Sequence, residues 1–105
     1  MKLVRFGEAG QERPGLIDTN GDLRDLSAEV ADIDGAALAP ETLGWLAALD
    51  ASTLPLVNGT PRLGPCVAKV GKLIGIGLNY SDHAAESGLD VPSEPIVFLK
   101  ATTAI

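Results

Sequence analysis

A single cysteine, Cys66, and a single histidine, His83, stand among 105 residues. One thiol closes no internal disulfide and builds no cysteine-based zinc site, a usage that fits a reducing cytoplasm. Cys66 reads as a small buried hydrophobe, because no second histidine is there to activate it as a nucleophile. Aromatic residues make up only 4 % of the chain, which leaves no stacking platform for nucleic acid. Positive charge is equally scarce: the net charge is −6 and the pI near 4.5, against a phosphate-binding surface. No apolar run approaches the ~20 residues needed to cross a bilayer. The opening Met1–Phe6 is charged and leads into no apolar run, so it is not a signal peptide. These absences imply a cytoplasmic protein with neither nucleic acid nor membrane as a partner. Repeats and low-complexity runs are also missing.

What is present is globular in character, with 46 % hydrophobic and 21 % charged residues. The length allows one ordinary domain or a piece of one, with a small core. Charge is uneven along the chain. Residues 1–60 hold four basic groups against ten acidic ones, whereas residues 61–105 hold four of each. The acidic part reads as a solvated shell.

Lys2-Leu-Val-Arg-Phe6 alternates polar and apolar and predicts a strand. Asn20-Gly21 between short apolar runs predicts a two-residue type I′ hairpin, and hence a small three-stranded antiparallel unit. Ser27–Leu49 is helical in tendency. Ser27 is placed to cap a short turn broken at Gly35, and Pro40-Glu41 opens a second helix with Leu43, Leu46, Ala47 and Leu49 on one face. Thr53–Val67, with Pro55, Asn58-Gly59, Pro61 and Gly64-Pro65, has the composition of a linker. The sequence therefore divides into a small N-terminal domain, 1–65, and a second stretch, 66–105.

In that second stretch, Lys72–Leu78 predicts a buried strand. Gly75 and Gly77 mark a place where another backbone or a ligand comes close. The third glycine of a dinucleotide fingerprint is missing, which sets a Rossmann reading aside. A short helix over 80–87 follows, capped by Asn79 or Ser81 and stopped by Gly88. Val91–Glu94 forms a loop and Pro95–Lys100 another strand. The apolar run Pro95–Leu99 leads straight into Ala101–Ile105 with no polar tail, the expectation being the N-terminal part of a longer protein.

The chemistry on offer is concentrated in Lys72–Glu86. On a helix, residues three apart have Cβ atoms roughly 5–6 Å apart, so His83 and Glu86 can act together. A carboxylate beside an imidazole orients the ring and raises its pKa from about 6.5; such a base takes a proton from water and returns it to a leaving group. The same pair also fits a solvated surface pair on a polar helix. Lys100 has two readings as well: a solvated strand end, or a cation facing an anionic substrate. Asp82, His83 and Glu86 do not make a dedicated metal cluster.

Gly77-Leu-Asn-Tyr-Ser-Asp-His-Ala-Ala-Glu86, followed by Glu94-Pro-Ile-Val-Phe-Leu-Lys100, resembles the opening of the catalytic domain in the fumarylacetoacetate hydrolase family. The best match is its bacterial branch of 2-hydroxyhepta-2,4-diene-1,7-dioate isomerases, acylpyruvate hydrolases and ureidoglycolate lyases. The matched core covers about residues 69–105, and residues 1–65 match the branch's small N-terminal domain more loosely. The resemblance implies an α+β chain: a β-hairpin/helix domain followed by the first strands of a mostly β rolled sandwich, in an enzyme that is usually a homodimer. It also implies Mg²⁺, or Mn²⁺ or Ca²⁺, chelating a keto-acid substrate, as in the catabolism of aromatic compounds. Carried over, His83 is the general base on water and Glu86 its partner, on a short helix that orders as a lid. Hydrolysis, isomerisation or decarboxylation then passes through a metal-stabilised enolate. The family's acidic ligands lie past Ile105. An aspartate ligand found in some eukaryotic members falls on Ile76 here, so no metal ligand is assigned within these residues. A reading of another class also stands: a non-catalytic fragment that serves as a dimerisation or interaction module.

Overall fold

A computed structural model describes all 105 residues, Met1–Ile105, as two compact units, Met1–Lys69 and Val70–Ile105. In the first, the alternating N-terminal segment forms β1 (Lys2–Phe6), which pairs antiparallel with β2 (Arg13–Ile17), and β2 pairs antiparallel with β3 (Leu23–Asp25). Gly15 sits opposite Val4 and Asp25 in this sheet. A Cβ there would lie 2.9 Å from the Phe6 ring and 3.0 Å from the Arg24 carbonyl oxygen, so only glycine lets these groups close over the strand.

The β2–β3 turn is one residue longer than the type I′ reading. Gly21 donates to the Asp18 carbonyl at 3.1 Å, and Asp18 donates to the Asp22 carbonyl at 2.9 Å. Only Gly21 takes positive φ, at 89°, and Asn20 does not. This is a three-residue loop in which a turn is followed by a left-handed glycine. The Asp18 carboxylate explains the choice: it accepts the backbone N–H of Asn20 at 2.8 Å and of Asp22 at 3.0 Å, an Asx arrangement that holds Asn20 at negative φ.

The helical tendency of residues 27–39 gives only turns. Asp25 accepts from the Ser27 N–H and Asp34 from the Ala36 N–H, and these local side-chain bonds compete with a helical ladder. The helix α1 (Pro40–Ala48) begins where proline is tolerated, at its first position. It buries Leu46 against Leu16, Leu26 and Leu54, with Leu3, Val30 and Leu49 packed around them. The Thr53–Val67 stretch is not a free linker. Leu54 enters the core, Leu56 bridges to Arg24, and Leu63 bridges to Phe6. The Gly7 N–H donates to the Arg62 carbonyl at 2.9 Å and the Gly64 N–H to the Arg5 carbonyl at 2.8 Å. Proline and glycine marked an irregular path correctly, but the β1 edge needs partners and this stretch supplies them. Further on, Ala68 is buried and its N–H donates to the Ile33 carbonyl at 2.7 Å, which carries the unit past residue 65. Cys66 is exposed, contrary to its reading as a buried hydrophobe: it falls on the solvent side of this crossing segment.

Ion pairs fasten the same edge. Arg5 grips Asp32 with both ends of its fork, Nε to Oδ1 at 2.7 Å and Nη2 to Oδ2 at 3.1 Å. Glu12 lies 3.7 Å from Arg5 and accepts from Arg62 Nη1 at 2.8 Å. The Arg5 hydrogen bond holds the Asp32 carboxyl below its ordinary value against an opposing desolvation, and the Arg62 and Lys69 hydrogen bonds do the same for Glu12 and Asp34. The folded state therefore binds fewer protons than the unfolded chain at acid pH. The stabilisation is complete above the unfolded carboxylate values and is lost as pH falls through the lower folded ones. Thermal melts are expected to hold a constant midpoint above about pH 5 and to fall steadily below about pH 4. Asp32→Asn should start lower and fall less steeply. A midpoint flat down to about pH 2.5 would sink this account.

The second unit holds β4 (Leu73–Gly77), α2 (Ser81–Glu86) and β5 (Ile96–Lys100). β4 and β5 pair antiparallel, with Gly75 opposite Phe98 and Gly77 opposite Ile96. The expected burial of this strand is not met: Ile74 and Ile76 are exposed, and so is every residue of β5. An apolar run buries itself only where a second layer covers it, and this sheet has two strands. Two small antiparallel sheets with short helices make the fold α+β. No helix is long and apolar enough to cross a membrane.

Candidate active site

The junction between β4 and α2 places the only histidine. Leu78 takes φ +47°, a left-handed conformation that leucine rarely adopts and that costs of order 1–3 kcal/mol. This turn swings the chain out of the sheet, so that Asn79, Tyr80 and His83 border one cavity at the strand end. Its volume is about 560 Å³, and Ile76, Leu78, Ile96 and Phe98 supply the apolar wall.

Neither Asn79 nor Ser81 caps α2. Tyr80 occupies the N-cap in an extended conformation without a side-chain bond, and the Asp82 carboxylate accepts the His83 N–H at 2.9 Å. Gly88 stops the helix as its sequence position indicated. At φ +66° its N–H donates to the Ala85 carbonyl at 3.1 Å, while the Leu89 N–H reaches the Ala84 carbonyl at 2.9 Å, the paired bonds of a Schellman cap. Ala84 is fully buried and seats the helix; its other five residues are exposed, His83 among them.

The sequence singled out His83, Glu86 and Lys100. His83 reaches the cavity, and Glu86 does not border it. No hydrogen bond or ion pair joins the imidazole to the Glu86 carboxylate here, although the two residues stand three apart on α2. Lys100 lies on the β5 face that carries Ile96 and Phe98, its ammonium 6.0 Å from the Phe98 ring centroid, outside the cavity wall. Sequence reasoning missed Asn79, Tyr80 and Phe98 as cavity residues. A signal for Phe98 did exist: a Cβ on its partner Gly75 would run into the ring, so the close neighbour announced by the glycines is the Phe98 side chain, with Ile96 over Gly77.

No three His, Cys, Asp or Glu residues are brought together to hold a metal ion. These residues cannot by themselves hold the Mg²⁺ that the sequence resemblance implies, whose acidic ligands that resemblance places past Ile105. A cavity of about 570 Å³ lies in the first unit, between the start of β1, the β2–β3 turn and the end of α1. Its carboxylates are already committed: Asp18 pairs with Arg24 at 2.9 Å, and Asp50 caps the turn at Ala51–Thr53. Met1 and Lys2 also border it, and no histidine does.

No family model matches the sequence. A protein of Burkholderia ambifaria named "Putative hydrolase" is 60 % identical over 105 residues, which is all of this chain and 37 % of the relative. Relatives of the same description from Burkholderia multivorans and Burkholderia lata are 59 % and 58 % identical, with the same coverage. The chain thus spans little more than a third of the length of the curated relatives it matches.

Proposed function

We propose that these residues are the N-terminal part of a hydrolase, and that its reaction is C–C bond hydrolysis of a 2-keto acid of the fumarylacetoacetate hydrolase type. The observation that carries this reading is His83, a lone imidazole bordering a half-apolar cavity beside Asn79 and Tyr80. The apolar wall suits the carbon chain of a keto acid, and the polar end suits its carbonyl oxygens. His83 takes a proton from water, and the water attacks the carbonyl of the acyl group. Glu86 rotates to meet the imidazole and steadies its charged form. A hard cation such as Mg²⁺ would have to be held by carboxylates outside these 105 residues. The name shared by the Burkholderia relatives supports hydrolysis over isomerisation or decarboxylation.

The test uses the chain extended to the length of its relatives and a 2,4-dioxo acid as substrate. One water is consumed, one carboxylate and one pyruvate are released, and pyruvate is read by a coupled dehydrogenase assay. Turnover that needs added Mg²⁺ or Mn²⁺ is expected. If no 2,4-dioxo acid is cleaved with either metal, the reaction class is wrong.

A further inference from the structure

We infer that the cavity of the first unit is a binding site for a free α-amino acid with an apolar side chain. Its volume of about 570 Å³ is that of a small-molecule site. Leu16, Ile17, Leu46 and Leu49 supply an apolar wall, and two opposite charges, Lys2 and Asp50, border the same space without forming an ion pair. Their chain neighbours Leu3 and Leu49 pack on one core cluster, which brings both charges to the same end of the unit. Lys2 is exposed and pairs with no carboxylate. Asp50 serves its turn through one oxygen only: Oδ1 accepts from the Ser52 N–H at 3.0 Å and from the Ser52 hydroxyl at 2.7 Å, and Oδ2 accepts nothing. The Ser52 bonds hold the Asp50 carboxyl below its ordinary value, so it is charged at neutral pH. The third charge at the cavity, Asp18, is neutralised by Arg24 at 2.9 Å.

The charge pattern selects the ligand. A plain anion has Lys2 to meet, but it enters a unit with more acidic than basic groups and leaves Asp50 beside it. A plain cation has Asp50 to meet and leaves Lys2 beside it. A zwitterion answers both, with its carboxylate on Lys2 and its ammonium on Asp50 Oδ2, each a charge-assisted hydrogen bond. The Thr19 hydroxyl and the Asn20 amide border the cavity without a partner of their own and offer further donors to the carboxylate. The ligand's apolar side chain then lies on the leucines and leaves water there. The inference does not depend on what His83 does.

The test titrates leucine into the isotope-labelled protein and follows its backbone amide signals by NMR. Those of Asp18, Thr19, Asn20, Ala51 and Ser52 are expected to shift with one Kd on the order of 1 mM, while those of Gly75 and Gly77 in the second unit stay in place. 4-Methylpentanoate and 3-methylbutylamine each keep the apolar chain and one of the two charges, and each should bind about 10-fold more weakly than leucine. Lys2→Gln and Asp50→Asn should weaken leucine binding by a similar factor, the second with its turn cap retained. Both positions are exposed, so the melting midpoints should hold within about 1 °C; where one does not, the ligand series on the unchanged chain decides. Absence of these shifts at tens of millimolar leucine overturns the inference. Equal affinity for leucine and either single-charge analogue does so too, as does unchanged affinity in either folded variant.

Discussion

His83→Ala in the chain extended to its relatives' length is expected to lower kcat/KM for the cleaved keto acid by about 10²–10⁴, the usual contribution of a positioned general base. That range corresponds to roughly 2.7–5.5 kcal/mol of transition-state stabilisation. The loss should fall on kcat, because the imidazole acts on water and the binding surface is supplied by Ile76, Leu78, Ile96 and Phe98. The fold should be indifferent to the change: the His83 side chain is exposed and holds no other side chain in place, while the helix is seated through Ala84 and its Gly88 cap. A melting midpoint within about 1 °C of the parent, beside the kinetic loss, separates chemistry from stability. Glu86→Gln should cost less, since the carboxylate works only through the ring. Full activity in His83→Ala would remove the base from the mechanism. Equal losses in the two variants would mean that the pair acts as one unit.

What could be read in the sequence follows from the range of the interaction involved. β1 and β5 were legible because alternation and a leading proline are local signals, β2 and β3 only through the Asn20-Gly21 turn between them, and Gly88 as a stop because a helix end needs one left-handed residue. His83 stood out by being alone. The Leu78 turn was not legible: nothing in a leucine announces φ +47°, and without that turn Asn79 reads as a helix cap and Tyr80 as the start of the helix instead of as cavity residues. The hairpin was read one residue short, because the Asp18 carboxylate outcompetes the intrinsic preference of Asn-Gly. The exposure of Ile74 and Ile76 was hidden for a different reason. An apolar strand reports that a cover is needed, not that one lies within the same 105 residues.

Phe6→Ala should be the most damaging single truncation in the first unit, at about 3–5 kcal/mol. A unit of this size has a total stability of only about 3–10 kcal/mol, so the midpoint is expected to fall by some 15–30 °C. Phe6 is 1 % exposed at the end of β1. Its ring lies over Gly15 and has the Arg13 guanidinium 4.9 Å from its centroid, and its backbone is bridged by Leu63. Trp45 is the larger side chain, yet at 45 % exposure on α1 its truncation to alanine should cost no more than about 1 kcal/mol. Gly15→Ala tests the contact from the other side, at about 1–3 kcal/mol, because its new methyl meets the ring, the Leu23 side chain and the Arg24 carbonyl. In the Phe6→Ala background the ring is gone and only part of that cost remains, so the double variant should be more stable than the sum of the single losses predicts. Strict additivity in denaturant melts would mean that the glycine answers to the Leu23 side chain and the Arg24 carbonyl, and that the ring's seat over β2 is not what makes Phe6 indispensable.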